Sequence, residues 1–191
     1  MLLQTTDSLS LKSALPDFSK TTHIFLPINN ATSVTVAESG SHWSLLLVSS
    51  IDGVAFHYDS LGNDNIEPAA NVTTKMATLL GKRLRFIHMR DAPQQENGSD
   101  CGVFVCMVMQ RLLLDRLLTK DSSDKVSMSL KSGKGMNPRE GRKEMIRVIE
   151  GFRKEGERRR SRSPSPYRKA DRSKSPPRIG DEQEVGMFER G

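Results

Sequence analysis

The chain changes character sharply at residue 101, and that change constrains the fold more than any other feature. Pro93-Gln94-Gln95-Glu96-Asn97-Gly98-Ser99-Asp100-Cys101-Gly102 is polar and turn-forming, and it runs straight into the mostly apolar residues 103–118. A loop rich in Asn, Gly, Ser and Asp ahead of such a run predicts a helix with Ser99 or Asp100 as N-cap and Cys101 in its first turn. From residue 103 to 109 this helix is apolar nearly all round, so other elements must enclose it, and it becomes amphipathic through Arg111, Asp115 and Arg116. Its buried end carries a thiol. Unpaired N–H groups and the positive dipole end at a helix start favour a thiolate, so residue 101 is a position where a nucleophilic cysteine can be made reactive. The plainer alternative is a small buried hydrophobe, the common fate of cysteine.

A histidine decides between them, and there are four: His23, His42, His57 and His88. His42 opens the strand-like run His42-Trp43-Ser44-Leu45-Leu46-Leu47-Val48 after the turn-forming Ser39-Gly40-Ser41. His23 and His57 lie inside apolar or aromatic runs and read as wall residues. A second strand, Val54-Ala55-Phe56-His57-Tyr58, ends in Asp59-Ser60, placing a carboxylate at the end of one strand near the start of its neighbour. Taken together, His42 reads as a base, Asp59 as its orienter and Cys101 as the nucleophile. Either His42 or Asp59 alone would read more simply as a strand-edge or a turn residue.

The order His-Trp-Ser-Leu-Leu, His-Tyr-Asp-Ser and Pro-Gln-Gln-x-Asn-Gly-Ser-Asp-Cys-Gly, at these separations, resembles the cysteine proteases specific for ubiquitin-like modifiers. These are the SUMO-processing and deneddylating enzymes, with the deneddylating branch nearest, and the likeness covers residues 15–152. It implies His42 as general base, Asp59 as its partner, Cys101 as nucleophile, and Gln95 as a donor to the oxyanion. It also implies an α+β, cysteine-protease-like fold: a central, mostly antiparallel sheet flanked by helices, with the nucleophile at the N-terminus of a buried helix. The implied substrate is a ubiquitin-like modifier and its conjugates, cleaved after a C-terminal Gly-Gly. Trp43 matches an aromatic of the family's substrate channel. No metal and no cofactor are implied.

The chemistry of the residues agrees with the likeness. Thiolate attack on a carbonyl builds negative charge on oxygen, which a side-chain amide and the Cys101 backbone N–H can stabilise, each donor worth about 3 kcal/mol. Gln94 competes with Gln95 for that part. Register poses a further question, because Asp52-Gly53 is the commonest hairpin dipeptide. A strict two-residue turn there would set Asp59 opposite Leu46, about 13 Å along the strand from His42. The triad therefore requires a longer loop centred near Ser50-Ile51, or a bulge.

Elsewhere, residues 22–28 read as a strand that Pro27 assigns to an edge or an end. A polar loop over 29–41 holds a weak strand pattern at 33–37. A helix over 67–80 closes on Gly81, and a strand follows at 83–89. Residues 121–135 form a Ser/Lys/Gly loop, expected to be mobile. Asn137-Pro138-Arg139-Glu140 supplies an N-cap, a proline at N1 and an acid at N3, opening a helix to Lys154 with Met145, Ile146, Val148, Ile149 and Phe152 inward.

The net charge of +6 suggests a nucleic-acid binder until its distribution is examined. Residues 158–178 carry nine Lys/Arg against one Asp and residues 179–191 four acids against one Arg, which leaves residues 1–157 at +1. The domain expected over 1–157 thus offers no basic field, and nucleic acid could be met only through the tail. That tail, 158–191, is Arg/Ser/Pro-rich and expected to be disordered. It reads either as a basic arm with Ser163, Ser165 and Ser175 as phosphorylation candidates or as a passive solvated extension. No run of eighteen apolar residues and no secretion signal is present, so a membrane is not an expected partner. Cys101 and Cys106 project about 140° apart on one helix and make poor disulfide partners. These features point to a reducing compartment, the nucleus or the cytoplasm.

One departure from the resembling family concerns the segment before the catalytic histidine. Those proteases carry there a Trp-Leu-Asn/Asp motif that helps roof the channel, whereas here Trp43 is the sole tryptophan. The N-terminal part of the family domain is therefore expected to be missing, with poor solubility or weak activity as the consequence. Two other readings stand beside the protease: a catalytically impaired modifier-binding or scaffold protein, and an RNA-associated factor acting through the tail.

Overall fold

The computed structural model describes residues 5, 7–33, 35–36, 39–121, 124–130 and 135–162. The chain divides into two compact units, Met1–Ile146 and Arg147–Gly191.

The first unit is built on a four-stranded sheet in the order β1-β2-β3-β4: β1 His23–Asn29, β2 Trp43–Ser49, β3 Val54–Tyr58 and β4 Arg85–His88. β1, β2 and β3 pair antiparallel, and β4 joins β3 in parallel after a crossover through helix α1, Ile66–Leu80. The expected mostly antiparallel sheet flanked by helices is what forms. β1 is an edge strand, which is why Pro27, lacking an N–H, is accepted in it. No strand appears among the described residues of 33–37.

β2 reads as a continuous apolar run because it is covered on both faces. Leu46 and Val48 pack with Ile24, Ile28 and Ala55 beneath Ala69, Val72 and Met76 of α1. Leu45 and Leu47 point the other way, onto Val105, Val108 and Leu112 of the cysteine-bearing helix. That helix, α2, spans Cys101–Gln110 and continues as a π-helical stretch, Arg111–Leu117, closed by Leu118 N–H on Leu113 O. Four successive residues, Leu45 to Val48, have no exposed surface. Burying each contributes roughly 1.5–3 kcal/mol, so β2 is the centre of the core.

The glycine expected to end α1 does so. Gly81 adopts φ 62°, its N–H bonds Thr78 O, and Lys82 N–H reaches back to Ala77 O. This paired closure needs a residue free to take positive φ. Between β2 and β3 the chain takes the longer loop, residues 50–53, with Ser49 paired to Val54 and Gly53 at φ 64°.

Within the 121–135 loop, residues 128–130 are tied to the sheet side of the fold. Leu130 is buried, Tyr58 Oη donates to Met128 O, and Asp91 accepts from Leu130 N–H and Ser129 Oγ. Helix α3 starts as expected at Pro138, with Asn137 Oδ1 accepting from Arg139 and Glu140 N–H, but it runs to Arg162, past Lys154. Of its apolar residues only Met145 is partly covered; Ile146, Val148, Ile149 and Phe152 are exposed. Residues 163–191, including Ser163, Ser165 and Ser175, lie outside the described residues. No helix among the described residues is long and apolar enough to cross a membrane.

Candidate active site

His42 is the residue before β2 and Asp59 the residue after β3. With Leu45 opposite Tyr58, Asp59 stands level with Ser44, two residues or about 7 Å from His42 along the strand. The loop thus removes half of the mismatch that a two-residue turn would create. The side chains close the rest: His42 Nε2 lies 2.6 Å from Asp59 Oδ1, with both residues buried. An ionised carboxylate only accepts, so Nε2 is the donor in this contact. His42 Nδ1 is buried and has no hydrogen-bond partner among the described residues.

Neither residue belongs to the sheet ladder, and other groups hold them. His42 N–H donates to Asn30 Oδ1, and His42 O accepts from Asn29 Nδ2 and Asn65 Nδ2. The Asp59 carboxylate also accepts from Leu61 N–H at 2.9 Å and from Asn65 N–H at 2.8 Å. Three donors converge on a side chain removed from water, which satisfies it.

His57 is the other buried histidine nearby, and it has a different part. Its Nε2 meets Ser44 Oγ at 2.9 Å and its Nδ1 meets His88 Nδ1 at 3.1 Å. Burial lowers its pKa to about 4; the Asp59 charge opposes this, and His88 and His42 add to it. Burial likewise lowers His88. His57 is thus neutral near pH 7 with both ring nitrogens engaged, the wall residue that its apolar surroundings suggested.

Cys101 starts α2 and is buried, with Asp100 as N-cap residue. The Asp100 side chain makes no capping bond. Its Oδ2 accepts from Asn97 Nδ2 at 2.7 Å, and its Oδ1 meets the Arg142 guanidinium as an ion pair rather than as a well-aligned hydrogen bond. The peptide N–H groups of the first turn are therefore not occupied by the carboxylate beside them. Phe104 and Val105, on the next turn, line a small crevice with Trp43, Asp59, Ser60 and Pro93. Trp43 itself is 44% exposed.

The two glutamines differ. Gln94 Nε2 donates to Asp59 O and Ala92 O, both at 2.9 Å, which uses both amide hydrogens on the backbone. Gln95 is held by its carbonyl oxygen, which accepts from Ser60 Oγ at 2.6 Å, and by its N–H on Ser60 O at 2.9 Å. One amide hydrogen goes to Asn97 O at 2.6 Å and leaves the second for another acceptor. Of the two, Gln95 is the one with an amide hydrogen to spare.

The fold therefore bonds His42 to Asp59, ties Gln95 to the residue after Asp59, and brings Phe104 and Val105 of α2 to a crevice shared with Asp59 and Ser60. Asn65, Ser60 and the Asp100–Arg142 pair were not legible as site residues. Asn65 stands ahead of a helix, where asparagine is ordinarily a cap, and Arg142 acts across the fold. Cys106, on the same helix, is half-buried and unpaired. Among the described residues no group of His, Cys, Asp or Glu could hold a metal ion.

Residues 8–143 match the C-terminal catalytic domain of the Ulp1 protease family. NEDD8-specific protease 2 of Schizosaccharomyces pombe is 42% identical over 130 residues, covering 68% of this chain and 31% of that protein. NEDD8-specific protease 1 of the same organism is 36% identical over 97 residues, 50% of this chain and 23% of that protein. Human sentrin-specific protease 8 is 38% identical over 85 residues, 43% of this chain and 39% of that protein. The matched region spans well under half the length of each of these relatives.

Proposed function

Because this chain belongs to the Ulp1 protease family, we propose that it is a thiol isopeptidase and endopeptidase that cleaves after the C-terminal Gly-Gly of a ubiquitin-like modifier. The relatives named for NEDD8 make NEDD8 the first modifier to test, ahead of SUMO. His42 Nδ1 takes the proton of the Cys101 thiol, and Sγ attacks the carbonyl carbon of the terminal glycine. The oxyanion is met by the free Gln95 amide hydrogen and the Cys101 N–H, donors used only as charge develops. The C–N bond then breaks, the His42 imidazolium gives its proton to the leaving amine, and a thioester remains on Cys101. Water, deprotonated by His42, hydrolyses the thioester and restores the thiol. Throughout, Asp59 holds the ring so that Nδ1 faces the thiol, the role of the third member of a triad. A channel beside Trp43 narrow enough for glycine alone would select the Gly-Gly tail by backbone shape.

The observation that carries this reading is the buried His42–Asp59 pair with Nδ1 left unpartnered. Nothing in the site favours a scaffold role over turnover. NEDD8 bearing a C-terminal propargylamide is expected to form a covalent adduct with the folded chain at Cys101, and not at Cys106. A folded protein that forms no adduct with NEDD8 or SUMO probes would refute the assignment.

A further inference from the structure

We propose that Asn65 is a positioning residue for the general base, fixing His42 and Asp59 from one point. The proposal rests on the reading of those two residues given above.

The problem that Asn65 solves is set by the ladder. β2 begins at Trp43 and β3 ends at Tyr58, so His42 and Asp59 each lie one residue beyond the strand that would hold them. Beyond a strand end the ladder thins: His42 O keeps one long backbone bond, from Asn30 N–H at 3.4 Å, beside the Asn29 and Asn30 side-chain bonds and, for Asp59, the Leu61 N–H. Asn65 adds the restraint that ties the two residues to each other. Its backbone N–H bonds Asp59 Oδ2 at 2.8 Å. Its Nδ2 reaches His42 O at 3.3 Å, Ile28 O at 3.2 Å and Ser44 Oγ at 3.1 Å.

Its orientation is not that of an ordinary helix cap. Asn65 is the N-cap residue of α1, where an asparagine side chain normally accepts from the first-turn N–H groups. Here it makes no capping bond and is fully buried, aimed across at the ends of β1 and β2. Turning the amide over would set Oδ1 against the carbonyl oxygens of Ile28 and His42, so the donor must face them. As a result Oδ1 is buried with no hydrogen-bond partner among the described residues. A residue kept only to start a helix would cap it and satisfy its oxygen. Ser44, held by Asn65, also contacts His57 Nε2, so the same amide braces the wall behind the base.

The test uses the full chain with NEDD8 carrying a C-terminal aminomethylcoumarin amide. Asn65→Ala is expected to lower kcat about 30-fold or more with KM within about twofold, because misplacing a reacting group by about 1 Å can cost 10²-fold. Asn65→Asp, similar in size but offering a carboxylate to two carbonyl oxygens, is expected to lose at least as much. The pH profile of Cys101 alkylation by iodoacetamide is expected to move in Asn65→Ala, since on the protease reading the imidazole acts on the thiol. The titratable groups that face His42 are Asp59 and His57, both unchanged; Asn65→Asp adds a carboxylate beside them, so Asn65→Ala carries this readout. Val72→Ala, a core change in α1, is the control for lost stability and should leave kcat per folded molecule and the alkylation profile as in wild type. Wild-type kcat and profile in folded Asn65→Ala would overturn the proposal. So would losses that follow the folded fraction alone, or failure of both variants to fold, each of which assigns Asn65 to structure only. Absence of Cys101 labelling in the wild type would instead overturn the protease reading itself.

Discussion

Replacing Gln95 by alanine removes an amide whose carbonyl is fixed by Ser60 Oγ at 2.6 Å and whose NH2 group spends one hydrogen on Asn97 O. The remaining hydrogen is the one assigned to the oxyanion, so the loss should fall on the transition state. Removal of a single such donor lowers kcat by about 10²–10³, or roughly 2.7–4 kcal/mol. KM for the NEDD8 coumarin amide should change little, since the ground-state carbonyl carries little charge. Gln94→Ala provides the contrast. Its amide ties Asp59 O and Ala92 O, two neutral hydrogen bonds on a partly exposed loop, worth about 1–2 kcal/mol of stability together. That variant should melt earlier yet keep kcat per folded molecule within about threefold of wild type. Ser60→Ala falls between them: Gln95 keeps its N–H bond to Ser60 O but loses the anchor on its side chain, and about tenfold of kcat should go. Steady-state kinetics on the three variants, with folded fractions from denaturant melts, decide the matter. A 10²-fold fall in kcat for Gln94→Ala beside a silent Gln95→Ala would refute the reasoning.

Cys101→Ala should abolish labelling and turnover while changing stability by about 1 kcal/mol or less, and Cys106→Ala should preserve both activities; equal effects would sink the nucleophile assignment. Arg142→Ala leaves the buried Asp100 carboxylate without its ion pair and should destabilise by about 1–2 kcal/mol, discounted because the guanidinium is 44% exposed; Asp100→Asn in the same chain should recover part of this in a urea melt. His57 has its folded pKa lowered from 6.5 to about 4, so the unfolded chain binds its proton first as pH falls. Its contribution to stability is complete above about pH 6.5 and is lost as pH drops towards 4, on the order of 3 kcal/mol in all. His57→Gln should flatten that part of the stability–pH curve, and an unchanged slope would show that His57 is not the group responsible.

The sequence by itself determined what depends on near neighbours. The Asn137-Pro138 start of α3 and the Gly81 end of α1 were legible because caps act over three or four residues. His42, Asp59 and Cys101 were legible because each stands at an element boundary that turn residues announce, whereas Gln95 was implied only by the family resemblance. Tertiary structure alone decided which donors those residues meet. Gln94 and Gln95 are adjacent and chemically identical, and only Ser60 and Asp59, some 35 residues away, distinguish them. Asn65 carries the residue type of a helix cap, and its side chain turns away because Ile28, His42 and Ser44 converge on it. The offset between His42 and Asp59 followed from a loop length that Asp52-Gly53 permits but does not dictate. The helical stripe on α3 has the period of a buried face, yet Ile146, Val148, Ile149 and Phe152 are exposed. Period records which residues share a side of a helix, and burial requires something opposite them. Hydrogen bonds and contacts between distant segments depend on how elements pack, and no local pattern of residues encodes that.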